Sequence, residues 1–73
     1  MIEVRLFATF RIGRQKKYQF DSKEYQNVQQ ILDVLGINTD EVSILLINGI
    51  HSQAIDMLVA GDVVSLFPPV GGG

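Results

Sequence analysis

Few residues here are of a type and spacing that carry chemistry. There is no cysteine, so a thiolate nucleophile, a disulfide and a cysteine metal site are all excluded. His51 is the only histidine, and a lone histidine without a cysteine partner reads as a strand residue rather than a ligand or general base. The acidic pairs Asp40-Glu41 and Asp21 with Glu24 have no partners that would set one as acid and the other as base; they read as loop and helix-start charges. What remains is Gly73. As a chain terminus its α-carboxylate has a pKa of about 3.5 and is ionised at neutral pH. A carboxylate is a poor electrophile and needs a leaving group before a nucleophile can attack it, most simply AMP from ATP. No nucleotide-binding loop is present, so activation falls to a partner enzyme into which the tail must reach.

The tail suits reach. Glycine has no Cβ and fits a narrow channel, and Gly71, Gly72 and Gly73 close the chain. Six residue steps separate Phe67 from Gly73, roughly 20 Å when extended. Pro68-Pro69 favours an extended, polyproline-like exit. A glycine run by itself is also what a frayed terminus looks like. Val70 to Gly73 are expected to be disordered in the free protein, because only Val70 has a side chain that could anchor them.

The elements that position this tail are legible as periodicities. Ile2, Val4 and Leu6 alternate with Glu3, Arg5 and Phe7, the pattern of a half-buried strand. Gly13 to Lys17 suits a turn, and Tyr18 and Phe20 alternate in a second strand, giving a hairpin. The basic run Arg11 to Lys17 reads as a solvated turn. Val28, Ile31, Leu32 and Leu35 form one apolar helical stripe. Asp21 or Ser22 would cap its start, or Asn27 if the boundary lies later; Gly36 suits a left-handed C-terminal cap with Ile37 as its hydrophobic contact. Ile44 to Ile47 is a continuous apolar run, predicting a strand buried on both faces or nearly so. Asn48-Gly49 signals a hairpin, with Ile50 to Gln53 as the return strand. Ile55, Met57, Leu58 and Val59 read as a loop or short helical turn with apolar anchors, Ala60-Gly61-Asp62 as a turn, and Val63 to Phe67 as the last strand, stopped by Pro68-Pro69.

Size bounds the rest. A chain of 73 residues that is 47% hydrophobic is one ordered domain. It buries only about 60% of the surface its unfolded chain exposes, too little to wall off a deep catalytic pocket. The net charge of -2 argues against a nucleic-acid partner. No apolar stretch is long enough to span a membrane, and Met1-Ile2-Glu3 carries no signal peptide, so a cytoplasmic protein is expected. The predicted fold class is α+β: a mixed sheet of four to five strands with one main helix packed on one face, residues 1–67 forming the domain and 68–73 a flexible tail.

This order of elements, ending in glycines, resembles the β-grasp fold of ubiquitin. Within it the chain is similar to the small subunit of molybdopterin synthase and its sulfur-carrier relatives. Three segments carry the likeness: Val4-Arg5-Leu6-Phe7-Ala8-Thr9-Phe10-Arg11, Ile47-Asn48-Gly49, and Gly61-Asp62 through the apolar strand and Pro68-Pro69-Val70 to Gly71-Gly72-Gly73. The sequence departs from the family pattern in a shorter middle, in Gly71 before the final Gly-Gly, and in His51. The resemblance implies a carrier that is not itself an enzyme and binds no resident cofactor. It would be adenylated at Gly73 by an enzyme of the ubiquitin-activating type, converted to a thiocarboxylate, and used by the large catalytic subunit of a molybdopterin synthase. Thiamine or another sulfur pathway, conjugation to protein lysines as a modifier, and a plain interaction domain are the alternatives. The implied topology makes the first and last strands parallel neighbours. Phe7 and Phe67 would then lie side by side on the open sheet face, and with Pro68, Pro69, Val70, Gly71 and Gly72 form the partner-binding surface.

Overall fold

In the computed structural model the described residues are 1–69. They form a five-stranded mixed sheet with one α-helix across one face. The strands are β1 (Ile2–Leu6), β2 (Lys17–Phe20), β3 (Ile44–Ile47), β4 (Ile50–His51) and β5 (Val63–Phe67), and the helix is α1 (Val28–Leu35). Their order across the sheet is β2-β1-β5-β3-β4. β1 and β5 pair in parallel at the centre, and every other pairing is antiparallel. This is the β-grasp arrangement, as the sequence predicts.

The core follows from strand alternation. Ile2, Val4 and Leu6 of β1 face α1, in register with Val64 and Leu66 of β5, and all five are fully buried. Val28, Ile31 and Leu32 close over them from the helix, also fully buried. Leu35, expected in the core, is only half-buried at the helix end. Phe10, Phe20, Ile37, Leu45 and Leu58 complete the cluster.

The helix starts and stops where its end groups are satisfied. Asn27 is the N-cap, its side chain accepting from the Gln30 N–H at 3.0 Å. Asp21 instead turns its carboxylate onto the Lys23 N–H at 2.9 Å and shapes the preceding loop. At the other end Gly36 has φ +73°, and the Ile37 N–H reaches back to the Leu32 carbonyl at 3.0 Å with Ile37 buried. That is a Schellman closure with its apolar contact.

The β1–β2 hairpin forms as expected, its strands antiparallel, with a 3₁₀ turn at Ala8–Arg11 added to the connection. Three sequence expectations are corrected. β3 is not buried on both faces. Leu45 is buried, but Ile44 is 40% exposed, because a single helix covers only one side of the sheet. In the loop after β4 only Leu58 is buried, whereas Ile55, Met57 and Val59 are exposed. The return strand β4 is also shorter than expected, Ile50–His51 alone.

The Asn48-Gly49 turn has positive φ at both residues, 53° and 80°, the geometry that matches the twist of a two-residue hairpin. Asn48 also ties this turn to the start of β5. Its amide donates to Asp62 Oδ1 and its carbonyl accepts from the Val63 N–H, both at 2.9 Å, while its backbone N–H bonds the Val63 carbonyl at 2.8 Å. The other carboxylate oxygen of the buried Asp62 accepts from the Val59 N–H at 2.9 Å. The carboxylate therefore spends both oxygens inside the protein.

Two stability measurements check this account. Truncating Ile31 or Leu66 to alanine should cost about 2–5 kcal/mol in urea unfolding. Asn48→Gly keeps the positive φ and removes only the side-chain bonds, so it should cost about 1–3 kcal/mol by leaving Asp62 short of a donor. An unchanged midpoint for Asn48→Gly would show that the side-chain bonds contribute nothing.

Candidate functional site

The site lies where β1 and β5 end together. The parallel register pairs Leu6 with Leu66, and one step further the Phe7 N–H donates to the Leu66 carbonyl at 3.2 Å. Because Leu6 and Leu66 face the helix, the next residues face away from it. The Phe7 and Phe67 rings stack on the open face with centroids 4.3 Å apart and planes 9° from parallel. Both are half-buried, so each keeps surface available to a partner.

The neighbours extend this pair into a patch. Ile44 of β3 is in register with Phe67, and Leu46 with Ser65 on one side and His51 of β4 on the other. Arg11 projects from the 3₁₀ turn, its guanidinium carbon 5.2 Å from the Phe7 ring centroid and its Nε donating to the Leu6 carbonyl at 2.7 Å. A guanidinium over an aromatic face is attracted by the ring quadrupole, so Arg11 borders the stack with a held positive charge. The turn that aims it begins at Ala8 with φ 53°, a left-handed conformation in which Cβ crowds the backbone.

The other half of the open face is charged. Arg5 hydrogen-bonds Glu3, and Gln19 donates to the second Glu3 oxygen at 3.3 Å. The Arg5 hydrogen bond, aided by the charges of Arg5 and Lys17, holds the Glu3 carboxyl below its usual range. Glu3 therefore stays ionised and neutralises Arg5 at neutral pH, and the pair's contribution is lost only as pH falls through that lowered value.

The tail leaves from the apolar half. The Phe67 carbonyl accepts from the Ser43 N–H at 2.8 Å; Pro68 and Pro69 then follow with no N–H to extend a ladder. Pro68 is buried and Pro69 exposed, so Pro68 fixes the exit while Pro69 offers surface. Val70, Gly71, Gly72 and Gly73 lie outside the described residues, as does the expectation that they are disordered.

Thus Phe7 and Phe67 lie side by side on the open face as expected, and Pro68 and Pro69 follow directly after Phe67 in the chain. Arg11 and Ile44 were missed. In the sequence Arg11 reads as part of a solvated turn, and nothing in its spacing marks it. Ile44 shares the phase of Leu46 and opposes Leu45, so the alternation combined with a single helix already implied its exposure. His51 is exposed on β4. Among the described residues no three His, Asp or Glu side chains converge as a metal site, and no helix is long and apolar enough to cross a membrane.

Comparison with known proteins places this geometry. The ThiS family model matches residues 4–73. Among solved structures, a Pyrococcus furiosus protein described as molybdopterin converting factor, subunit 1, superposes with a TM-score of 0.72 at 24% identity, over 94% of this chain and 97% of that one. SAMP1 of Haloferax volcanii gives 0.66 at 27% identity over 99% and 98%. In a Helicobacter pylori complex of subunits 1 and 2 of molybdopterin-converting factor, the matching chain gives 0.64 at 22% identity over 99% and 97%. A search of curated proteins finds no match. With the family model spanning nearly all of it and the β-grasp sheet delivering its last strand to the glycine tail, the chain belongs to the ThiS family of small ubiquitin-like domains.

Proposed function

We propose that this protein is a sulfur carrier that works through the carboxylate of Gly73, most directly in assembly of a molybdopterin-type cofactor. The observation that carries the reading is the parallel end of β1 and β5. It sets a stacked aromatic pair on the open face immediately before the residues that lead to Gly73. A partner that docks on Phe7, Phe67 and Ile44 meets the chain at Pro68, directly beside that contact.

The chemistry then divides between the chain and its partners. The Gly73 carboxylate attacks the α-phosphorus of ATP in an adenylating enzyme of the ubiquitin-activating type, and pyrophosphate leaves. A sulfide-equivalent nucleophile displaces AMP, so a C–S bond forms as the acyl C–O bond to the phosphate breaks. The thiocarboxylate is then delivered inside a larger catalytic subunit. The Helicobacter pylori complex of subunits 1 and 2 supports such a large-subunit partner. The domain contributes docking and reach, and glycines contribute passage through a narrow channel.

The similarity to SAMP1, a small archaeal modifier protein, favours one alternative: the same activated Gly73 joined to lysine amines. The two readings share the adenylate and differ in the nucleophile that follows.

Two experiments test the proposal. Phe7→Ala should weaken binding to the adenylating enzyme encoded in the same genome much more than it lowers the melting temperature. A large stability loss with normal binding would make Phe7 a structural residue only. For the tail, incubation with that enzyme, ATP and a sulfur donor should add the mass difference of one sulfur for one oxygen. Deletion of Gly73 should abolish that gain while leaving fold and docking nearly intact, because one residue moves the reactive carbon about 3.3 Å and misplacement by about 1 Å already slows reactions heavily. Equal loading of both proteins would overturn the assignment of Gly73. Conjugates to lysines without a thiocarboxylate would select the modifier reading.

A further inference from the structure

On the helix side of the sheet, away from the tail, a groove of about 490 Å³ runs between β2 and α1. Ile12 and Val34 stand on its rim, 75% and 60% exposed, and Tyr18 and Leu35 line it, both half-buried. Its walls are tied together. Arg14 donates to the Leu35 carbonyl at 3.0 Å, to Gly36 at 3.4 Å and to Phe10 at 3.3 Å, joining the loop before β2 to the C-terminal end of α1. A cation there also suits the negative end of the helix dipole. The two walls of the groove are therefore joined at one end through Arg14.

It lies beside an unpaired sheet edge. β2 is the outermost strand and pairs only with β1. The Leu6 N–H donates to the Lys16 carbonyl at 2.9 Å, so Lys16, Tyr18 and Phe20 direct their backbone groups inward, and Lys17 and Gln19 direct theirs outward. Among the described residues those two outward N–H groups have no partner. A strand laid along this edge would drop alternate side chains into the groove, since Tyr18 and Phe20 face that side.

Charge selects the occupant. Lys16 and Lys17 are exposed at the start of the edge, where no acidic residue lies between positions 5 and 17. Lys23 and Glu24 are exposed together just after the edge and Asp33 is exposed on the helix side, while the Asp21 carboxylate is turned back onto its own loop. The positive end of the surface is therefore the Lys16–Lys17 end. A second copy of this chain would bring another Lys16-Lys17 pair within the length of one short strand, about 13 Å, and lysines on an edge oppose such self-pairing. An acidic segment meets the opposite field.

We propose that the β2 edge and the β2–α1 groove bind an extended peptide segment of another protein. Such a segment carries aliphatic residues at alternate positions flanked by acidic ones, and adds as a sixth strand beside β2. This surface is separate from the Phe7–Phe67 patch and does not depend on the fate of Gly73. Backbone pairing would supply affinity and the groove the preference for aliphatic side chains.

The test uses a fluorescein-labelled peptide, Asp-Asp-Ile-Thr-Val-Thr-Leu-Asp-Asp, titrated into the full chain by anisotropy and followed by amide NMR. The Lys17 and Gln19 amides should shift and gain protection from exchange. Val34→Glu and Ile12→Glu change exposed positions and should weaken binding about tenfold or more, and Phe67→Ala should leave it unchanged. Replacing the peptide's aspartates by lysines should abolish binding. Absence of binding at millimolar peptide, shifts centred on Phe7 and Phe67, or equal binding of the lysine peptide would each overturn the proposal. So would a concentration-dependent dimer of the free protein through β2, which would make a second copy the occupant.

Discussion

The parallel pairing of β1 with β5 is the constraint on which the rest depends. It joins the first strand to the last, so it closes a loop that spans the whole intervening chain. Its two strands supply five of the fully buried side chains. It also fixes where the chain ends. Parallel strands run out at the same edge, so the terminus of β1 and the exit to the tail are side by side. Had β5 paired antiparallel to β1, Phe67 would have stacked near Ile2, far from Phe7 and Arg11.

That pairing needs a register, because a one-residue slip would send Val64 and Leu66 to solvent and Phe67 into the core. Asp62 supplies much of the specification. Its carbonyl accepts the Glu3 N–H at 3.0 Å, its N–H bonds the Val59 carbonyl at 3.1 Å, and its carboxylate holds Asn48 and Val59. One residue thus ties the start of β1, the β3–β4 turn and the start of β5. Two of the segments that carry the family resemblance, Ile47-Asn48-Gly49 and Gly61-Asp62, are in contact through this residue. Their residue types follow from turn geometry and hydrogen-bond accounting, with no appeal to the chemistry of the tail.

The strands, the helix stripe and the Gly36 cap were legible because each is a local pattern with one good structural solution. Phe7 beside Phe67 was legible only once a topology was assumed, since alternation gives the face of a strand and not its neighbour. What was not legible depended on contacts across the chain. Asn27 rather than Asp21 caps the helix because the loop between them uses the Asp21 carboxylate for its own turn. Arg14 leaves the solvated loop because the carbonyls of Leu35 and Gly36, unsatisfied within the helix, lie within its reach. Ile44 was placed inside by its neighbours in sequence, and outside by the lack of a second helix to cover it.

Net charge also hides where the charges sit. The value of -2 argues against a basic surface only if charge is evenly mixed. Here residues 5–17 carry five of the six basic side chains and no acidic one, whereas residues 21–62 carry seven of the eight acidic ones. The fold keeps that separation, because the basic stretch ends β1, forms the turn after it and begins β2. Arg11 and Arg14 are held by backbone carbonyls, whereas Lys16 and Lys17 remain free in water. A small domain can still sort partners by face. Its apolar sheet end would meet the protein that acts on the tail, and its basic edge would meet a different, acidic chemistry. The two surfaces lie on opposite sides of the sheet, so occupation of one leaves the other open.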